Sequence, residues 1–230
     1  MVFVVVVTTI IWPYDFGLEA LVTLVLALYV LFVVFITLPL YKLMVSRGVS
    51  DYSARYYNRK IIHMFAGGLV AVLTPYLYTS PLFPLLASLA LAFLLAVTRR
   101  YRLLYWFQVP ENAYEVNFLI AWGVSVFLLW HLTANPFIAV LPAIFISYGD
   151  AVTGLIRNAI FGERTKHWWG NVAMAIVCFP IGYMYAGLLG LAAAAASTIV
   201  ERFEFGPIDD NVLIVLTSTL ILLYPYYIYL

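Results

Sequence analysis

Long apolar stretches separated by short polar segments dominate the chain and predict an all-α membrane protein. A transmembrane helix needs about 20 predominantly apolar residues. Eight stretches approach that length, and they cover Leu18–Leu40, Ile61–Tyr78, Leu82–Thr98, Val116–Leu132, Phe137–Arg157, Trp168–Tyr185, Leu188–Val200 and Val212–Leu230. Only Ala186 and Gly187 separate the sixth from the seventh, so the pattern predicts a polytopic bundle of seven or eight helices. We expect one transmembrane domain over residues 1–230.

The extreme N-terminus is a shorter apolar segment of a different kind. Val2–Trp12 is followed directly by Pro13 and is too short to cross a bilayer as a helix. It also lacks the basic region that opens a signal peptide. We therefore interpret it as an interfacial or re-entrant segment.

Composition supports the membrane interpretation and excludes several other classes. The chain is 65% hydrophobic and 10% charged, whereas a soluble domain carries about 25% charged residues. Cys178 is the only cysteine, so an intramolecular disulfide is excluded. No basic tract indicates a nucleic-acid partner.

The basic residues predict how the bundle is oriented. In the eight-span arrangement all of them fall at one side of the membrane, and they are Lys42, Arg47, Arg55, Arg59, Lys60, Arg99, Arg100, Arg102, Arg157, Arg164, Lys166 and Arg202. The intervening loops on the other side hold none. Because cytoplasmic loops are enriched in Lys and Arg, this side is expected to face the cytoplasm.

A polar stripe lies within the fifth apolar stretch. Asp150, Thr153, Gly154 and Arg157 share one helix face at 100° per residue. Ionisable residues within spans are costly and usually functional, so Asp150 is the central candidate for a metal ligand or catalytic group. The structural alternative is a contact between Asp150 and Arg157 that holds helices together.

The segment after this stripe has features of a phosphate site. The residues that carry the pattern are Gly154, Arg157, Gly162, Arg164, Lys166, Gly170 and Asn171. Glycines let a phosphate approach the backbone, helix N-termini offer free N–H groups, and Lys166 adds a charge. The alternative is an ordinary basic loop in which Gly162 ends the preceding helix.

Two further clusters lie at the same side. Carboxylates and an amide crowd the last inner loop, at Glu201, Glu204, Asp209, Asp210 and Asn211. Helix capping explains part of this cluster, and a second set of Mg²⁺ ligands is the functional hypothesis.

Arg59, Lys60 and His63 open the second span. Membrane anchoring accounts for the two basic residues but not for His63, which is a candidate general base or phosphate contact.

Together these residues resemble the polyprenol kinase family, which includes dolichol and phytol kinases. The residues that carry the resemblance are Arg59, Lys60, His63, Gly149, Asp150, Lys166, Gly170, Asp210 and Asn211. The family is related to CTP-dependent diacylglycerol kinases and to CDP-lipid cytidylyltransferases. One position departs from the pattern, because Trp169 stands where many relatives have glutamate.

The resemblance implies transfer of the γ-phosphoryl group of a nucleotide, typically CTP, to an isoprenoid alcohol, with Mg²⁺ as cofactor. ATP is the alternative donor. Catalytic roles would fall to Asp150, Lys166 and His63, and metal binding to Asp150, Glu201, Asp209, Asp210 and Asn211. The nucleotide would contact Arg59, Lys60, Gly154, Arg157, Gly162, Arg164, Lys166, Gly170 and Asn171.

Two other functions remain open at this point. The closer one is CDP-lipid synthesis, in which a lipid phosphate attacks the α-phosphorus and pyrophosphate leaves. The more distant one is a transporter that uses Asp150 as an ion or proton site. The clustering of polar residues at one edge of the bundle favours an enzyme over a path through the membrane.

Overall fold

A computed structural model describes residues 11–162, 165–205 and 208–227. These residues form seven helices and no β-strand, which confirms the all-α prediction. The helices are α1 Phe16–Ser46, α2 Asp51–Leu77, α3 Leu82–Tyr101, α4 Tyr114–Thr133, α5 Pro136–Phe161, α6 Trp168–Val200 and α7 Asp210–Tyr227. Arg164 and residues 1–10 of the N-terminal apolar segment lie outside the described residues.

Six of the helices, α1 to α6, are long and apolar enough to cross a membrane, and α7 is a shorter apolar helix. The outer surface of the bundle is correspondingly apolar. On α1, for example, Leu21, Leu28 and Phe35 are each more than half exposed. Large apolar side chains on the outside are stable only against lipid or another protein, so the prediction of a multi-pass membrane protein is confirmed.

The largest shift from a predicted boundary is at α2. This helix begins at Asp51, whereas its apolar stretch begins at Ile61. The Ser50 hydroxyl accepts a hydrogen bond from the Ser53 amide at 3.2 Å, and Asp51 lies in the first turn, where an anion interacts favourably with the helix dipole. Hydrophobicity marks only the membrane-embedded part, so the polar first turns were missed.

The element α6 is a hairpin of two helical arms and is not one continuous helix. Its backbone leaves the helical region at Ala186 and at Gly187, where φ is +57° and ψ is −139°. The Asn171 amide donates to the Thr198 carbonyl at 2.5 Å, although a straight helix would separate these residues by about 40 Å. The arms 168–185 and 188–200 therefore run antiparallel, as the two predicted segments did, and both open ends lie at the basic end of the bundle.

Glycines allow the two arms of this hairpin to touch. A Cβ atom at Gly190 would lie 1.9 Å from the Gly182 carbonyl oxygen. We expect Gly190→Ala to lower the free energy of unfolding by about 2 kcal/mol, since overpacking at a rigid backbone contact costs about 1–3 kcal/mol. Thermal unfolding in detergent measures the loss. Gly17→Ala is the control, because its Cβ would meet only ordinary contacts at 3.5 Å, and equal stability of the two variants would contradict the hairpin contact.

The buried centre of the bundle is α5. Phe145 and Ile146 are fully buried there, and they belong to a core that also includes Phe118 and Trp122 of α4 and Met174 of α6. Neighbouring helices cover α5 on several sides, so polar groups near its C-terminal end are shielded from lipid. This shielding is what permits ionised side chains at that depth.

Candidate active site

Two π-helical turns pack against each other beside the candidate residues His63 and Asp150. One covers His63–Gly68 in α2, and the other covers Phe145–Gly149 in α5. The turns pack closely, since a Cβ at Gly67 would lie 3.1 Å from the Ser147 hydroxyl and one at Gly68 would lie 2.6 Å from the Tyr148 ring. π-Helical turns often occur at functional sites. Here His63 opens one turn and Asp150 directly follows the other.

Asp150 is paired with Lys60. The Lys60 ammonium donates to Asp150 Oδ2 at 2.5 Å, and both residues are almost completely buried. Nδ1 of His63 lies 3.7 Å from the same oxygen, which is too long for a hydrogen bond. Among the described residues neither ring nitrogen of His63 has a hydrogen-bond partner. The imidazole stacks on Phe118 with 4.0 Å between the ring centroids.

Arg157 forms the second buried pair, with Glu201 rather than with Asp150. Its two terminal nitrogens donate to the two carboxylate oxygens at 2.6 and 2.8 Å. Its remaining contacts are to the Asn171 side chain at 3.0 Å and to the His167 carbonyl at 2.8 Å. The structural alternative considered from the sequence, a contact between Asp150 and Arg157, is therefore wrong. It also explains how Glu201 is tolerated at a helix C-terminus, where the dipole disfavours an anion.

Lys166 forms the third pair. Its ammonium donates to Asp210 Oδ2 at 2.9 Å and to the Glu201 carbonyl at 2.8 Å. Burial alone would lower the pKa of Lys166, but the negative charges of Asp210 and Glu201 outweigh burial and raise it to about 12. Lys166 is therefore a cation over the whole physiological range and ties the loop before α6 to the start of α7.

The three carboxylates of these pairs lie together. Asp150, Glu201 and Asp210 each offer one oxygen, and these oxygens all lie within 4.8 Å of one another. Mg²⁺ prefers carboxylate oxygens at 2.0–2.1 Å, so opposite ligands lie about 4.2 Å apart. At most one of the three pairs can be opposite, and adjacent ligands lie about 3 Å apart, so the side chains would move closer together to bind one ion directly. The chemistry of this donor set therefore fits a divalent cation such as Mg²⁺.

The neighbouring residues Asp209 and Asn211 have different surroundings. Asp209 caps α7, because its Oδ1 accepts from the Val212 amide at 3.1 Å and its Oδ2 accepts from Asn117 at 3.2 Å. Burial and the adjacent Asp210 raise the pKa of Asp209 to about 6. Oδ1 of Asn211 is buried and has no hydrogen-bond partner among the described residues, and Asn211 lines the same pocket as the three carboxylates.

The predicted phosphate-loop glycines lie at close helix contacts. A Cβ at Gly154 would lie 2.2 Å from the Tyr56 hydroxyl, and one at Gly170 would lie 2.3 Å from Arg157 Nε. Gly162 ends α5 in the left-handed conformation with φ +71°, as the structural alternative predicted. Each glycine is thus explained by packing or capping, and Gly170 in particular lets Arg157 pass over the start of α6.

The three ion pairs, together with His63 and Asn211, surround one narrow pocket at the basic end of the bundle. Its lining residues are Tyr56, Arg59, Lys60, His63, Tyr114, Asp150, Arg157, Thr165, Lys166, Glu201, Asp210 and Asn211. The free space suffices for about one water molecule or ion. Each carboxylate has a basic partner, and Arg59 adds a further positive charge.

Several parts of this site were not identified from sequence. Only the structure shows that Lys60 pairs directly with Asp150 and that Glu201 is the partner of Arg157. It also adds the tyrosines at positions 56 and 114 to the site. Tyr56 had one available signal, because it lies four residues before Lys60 and shares its helix face. Nothing comparable marks Tyr114.

Comparison of the chain with protein-family models, with curated proteins and with solved structures gave no match.

Proposed function

We propose that the protein is a CTP-dependent lipid kinase that transfers the γ-phosphoryl group to an isoprenoid alcohol of the polyprenol type. The observation that carries this proposal is the close pairing of the buried carboxylates of Asp150, Glu201 and Asp210 with Lys60, Arg157 and Lys166. These groups lie where membrane-spanning helices give way to the loops at the basic end. A site at that level is accessible both to a soluble nucleotide and to the head of a membrane alcohol.

The charges at the site suit a polyphosphate with its metal ion. Three buried carboxylates are matched by three cations, and Arg59 remains without a carboxylate partner among the described residues. A bound Mg²⁺ would neutralise charge on the phosphate oxygens, with Asp150, Glu201 and Asp210 as its protein ligands. Phosphoryl transfer depends mainly on positioning and on charge neutralisation of this kind.

The reaction assigns roles to the residues that line the pocket. The alcohol oxygen forms a bond to the γ-phosphorus while the bond to the β–γ bridging oxygen breaks, and a nucleoside diphosphate leaves. His63 accepts the proton of the alcohol, a role favoured by its unpartnered ring nitrogens. Lys166 contributes a fixed positive charge beside the phosphates. Arg157 holds Glu201 in place through its two-pronged contact.

The location of His63 supports a lipid acceptor. His63 lies in α2 after its polar first turns, and Phe65 on the opposite side of the same turn is 54% exposed. The turn that holds His63 therefore lies at the level of the apolar side chains, and we infer that an alcohol whose chain lies at this level presents its hydroxyl to the pocket. The polar donor would reach it from the loops, and positive-inside bias supports a cytoplasmic location for these loops.

Trp169, which stands where many members of the proposed family have glutamate, lies outside the pocket. Trp169 is about half exposed and stacks on Trp168 with 4.2 Å between centroids, so it contributes no group to the pocket. Glu201 instead brings a carboxylate to within 3.3 Å of the Asn171 amide. We propose that Glu201 supplies the negative charge that relatives with glutamate at that position obtain from the loop itself.

Purified protein in lipid nanodiscs, given Mg²⁺, labelled CTP and a panel of prenols, diacylglycerol and phosphatidic acid, tests the proposal. We expect a prenyl phosphate and CDP in equal amounts, and loss of product when EDTA removes the metal. Release of pyrophosphate with phosphatidic acid would instead identify a cytidylyltransferase. Flux across the membrane without nucleotide, abolished in Asp150→Ala, would identify a transporter.

A further inference from the structure

A second, larger pocket opens beside the first. Its free space is about 210 Å³, against about 10 Å³ in the first pocket. Its walls come from the first turns of α2 and from the segment before α4, and the lining residues are Tyr52, Arg55, Tyr56, Arg59, Phe107, Val109, Glu111 and Tyr114. Tyr56, Arg59 and Tyr114 line both pockets, so the two spaces share a wall.

The shared wall contains a cation without an anionic partner. Arg59 is 8% exposed, and its side chain forms no ion pair or hydrogen bond with any described residue. Its guanidinium lies over the Tyr114 ring at 4.4 Å and the Tyr56 ring at 5.4 Å. A buried guanidinium is normally paired with a carboxylate or phosphate. Arg59 is thus held by aromatic rings in a position to receive an anion.

The far wall of the second pocket is held firmly. Arg99 of α3 donates to the carbonyls of Val109 and Pro110 at 2.6 and 2.8 Å. Gln108, in the same segment, donates to Glu115 of α4 at 2.7 Å. Phe107 is 3% exposed. The segment before α4 therefore provides a fixed surface, and preorganised surfaces bind ligands at a lower entropic cost.

The two pockets complement each other chemically. The first presents carboxylates and cations but has room for little more than one ion, so a nucleoside cannot enter it. The second has aromatic walls, arginines at positions 55 and 59, and one carboxylate at Glu111. Aromatic rings stack well on planar bases, and a carboxylate accepts hydrogen bonds from the exocyclic amino group of cytosine.

We propose that the second pocket binds the nucleoside of the donor, with the base against Tyr52 and Glu111 and the phosphates passing Arg59 toward the three carboxylates. This inference rests on the proposed function, because it locates part of the donor of that reaction. Glu111 favours cytosine over uracil, since uracil has a carbonyl where cytosine has an amino group. Arg59 contacts the phosphates between the two pockets.

Equilibrium binding to protein in nanodiscs, with Mg²⁺ and without any alcohol, tests this placement. The probes are CTP, UTP and inorganic tripolyphosphate, which shares the phosphates but has no base. We expect Tyr52→Ala to weaken CTP binding about tenfold and to leave tripolyphosphate binding unchanged, since stacking on an aromatic side chain is lost. Tyr52→Phe is the matched control and retains wild-type affinity. Tyr52 is half exposed, so neither change disturbs the core.

A substitution at Glu111 tests the orientation of the base. Glu111→Ala is expected to weaken CTP binding while UTP binding stays the same, so that the preference for CTP over UTP disappears. Unchanged CTP affinity in Tyr52→Ala, or an equal loss for CTP and tripolyphosphate, would overturn the placement while the kinase proposal stands. Wild-type protein that binds neither CTP nor tripolyphosphate would overturn both.

Discussion

Asp150→Asn is expected to abolish phosphoryl transfer and also to destabilise the protein. The substitution removes a candidate metal ligand, and the expected loss of rate is about 10³-fold, as for other groups that stabilise a developing charge. It also leaves Lys60, which is 4% exposed, without its 2.5 Å partner. Breaking a buried ion pair on one side costs about 3–5 kcal/mol. Activity and thermal unfolding therefore both have to be measured.

A double variant separates the two effects. Asp150→Asn combined with Lys60→Met removes both charges of this pair, so we expect stability to recover toward that of the wild type. Activity should stay absent, because the carboxylate is still missing. A double variant that is stable and transfers phosphate at a wild-type rate would remove Asp150 from the site. The single variant Lys60→Met completes the double-mutant cycle, and we expect it to be destabilised as much as Asp150→Asn.

The sequence predicted the parts of this fold that depend on local pattern. Apolar runs of membrane length predicted the helices, and the break at Ala186 and Gly187 separated two segments that the structure folds back as a hairpin. One residue of the cluster at 209–211 was expected to cap the last helix, and Asp209 does so. These features follow from hydrophobicity and backbone preference within a few neighbouring residues, so a single sequence contains them.

The local sequence pattern could not predict which distant residues form ion pairs. The partner of Asp150 is Lys60, 90 positions away, and the partner of Arg157 is Glu201, 44 positions away. Nothing in the spacing distinguishes these partners from the other charges at the same end of the bundle. The glycines at positions 154 and 170 show the same limit, because their pattern suits a phosphate loop as well as it suits the close helix contacts found here.

Removal of one partner of the Arg157–Glu201 pair is expected to be among the most destabilising single substitutions in the bundle. Both side chains are at least 96% buried, with exposed fractions of 4% and 2%, and two parallel hydrogen bonds join them. We expect Arg157→Gln and Glu201→Gln each to lower the free energy of unfolding by about 3–5 kcal/mol. Unfolding of the two single variants and the double variant gives the coupling energy, which should exceed about 1.5 kcal/mol.

The matched control is an ion pair of the same chemistry at the surface. Arg55 and Asp51 lie 2.6 Å apart on α2, but their side chains are 26% and 51% exposed. Water and salt screen such a pair, and i,i+4 pairs of this kind contribute about 0.3–0.5 kcal/mol. A coupling energy for Arg157 and Glu201 as small as that of the control would contradict a structural role for the buried pair. Arg157 would then be free to bind phosphate, as the sequence pattern first indicated, whereas a large coupling energy means that it positions Glu201.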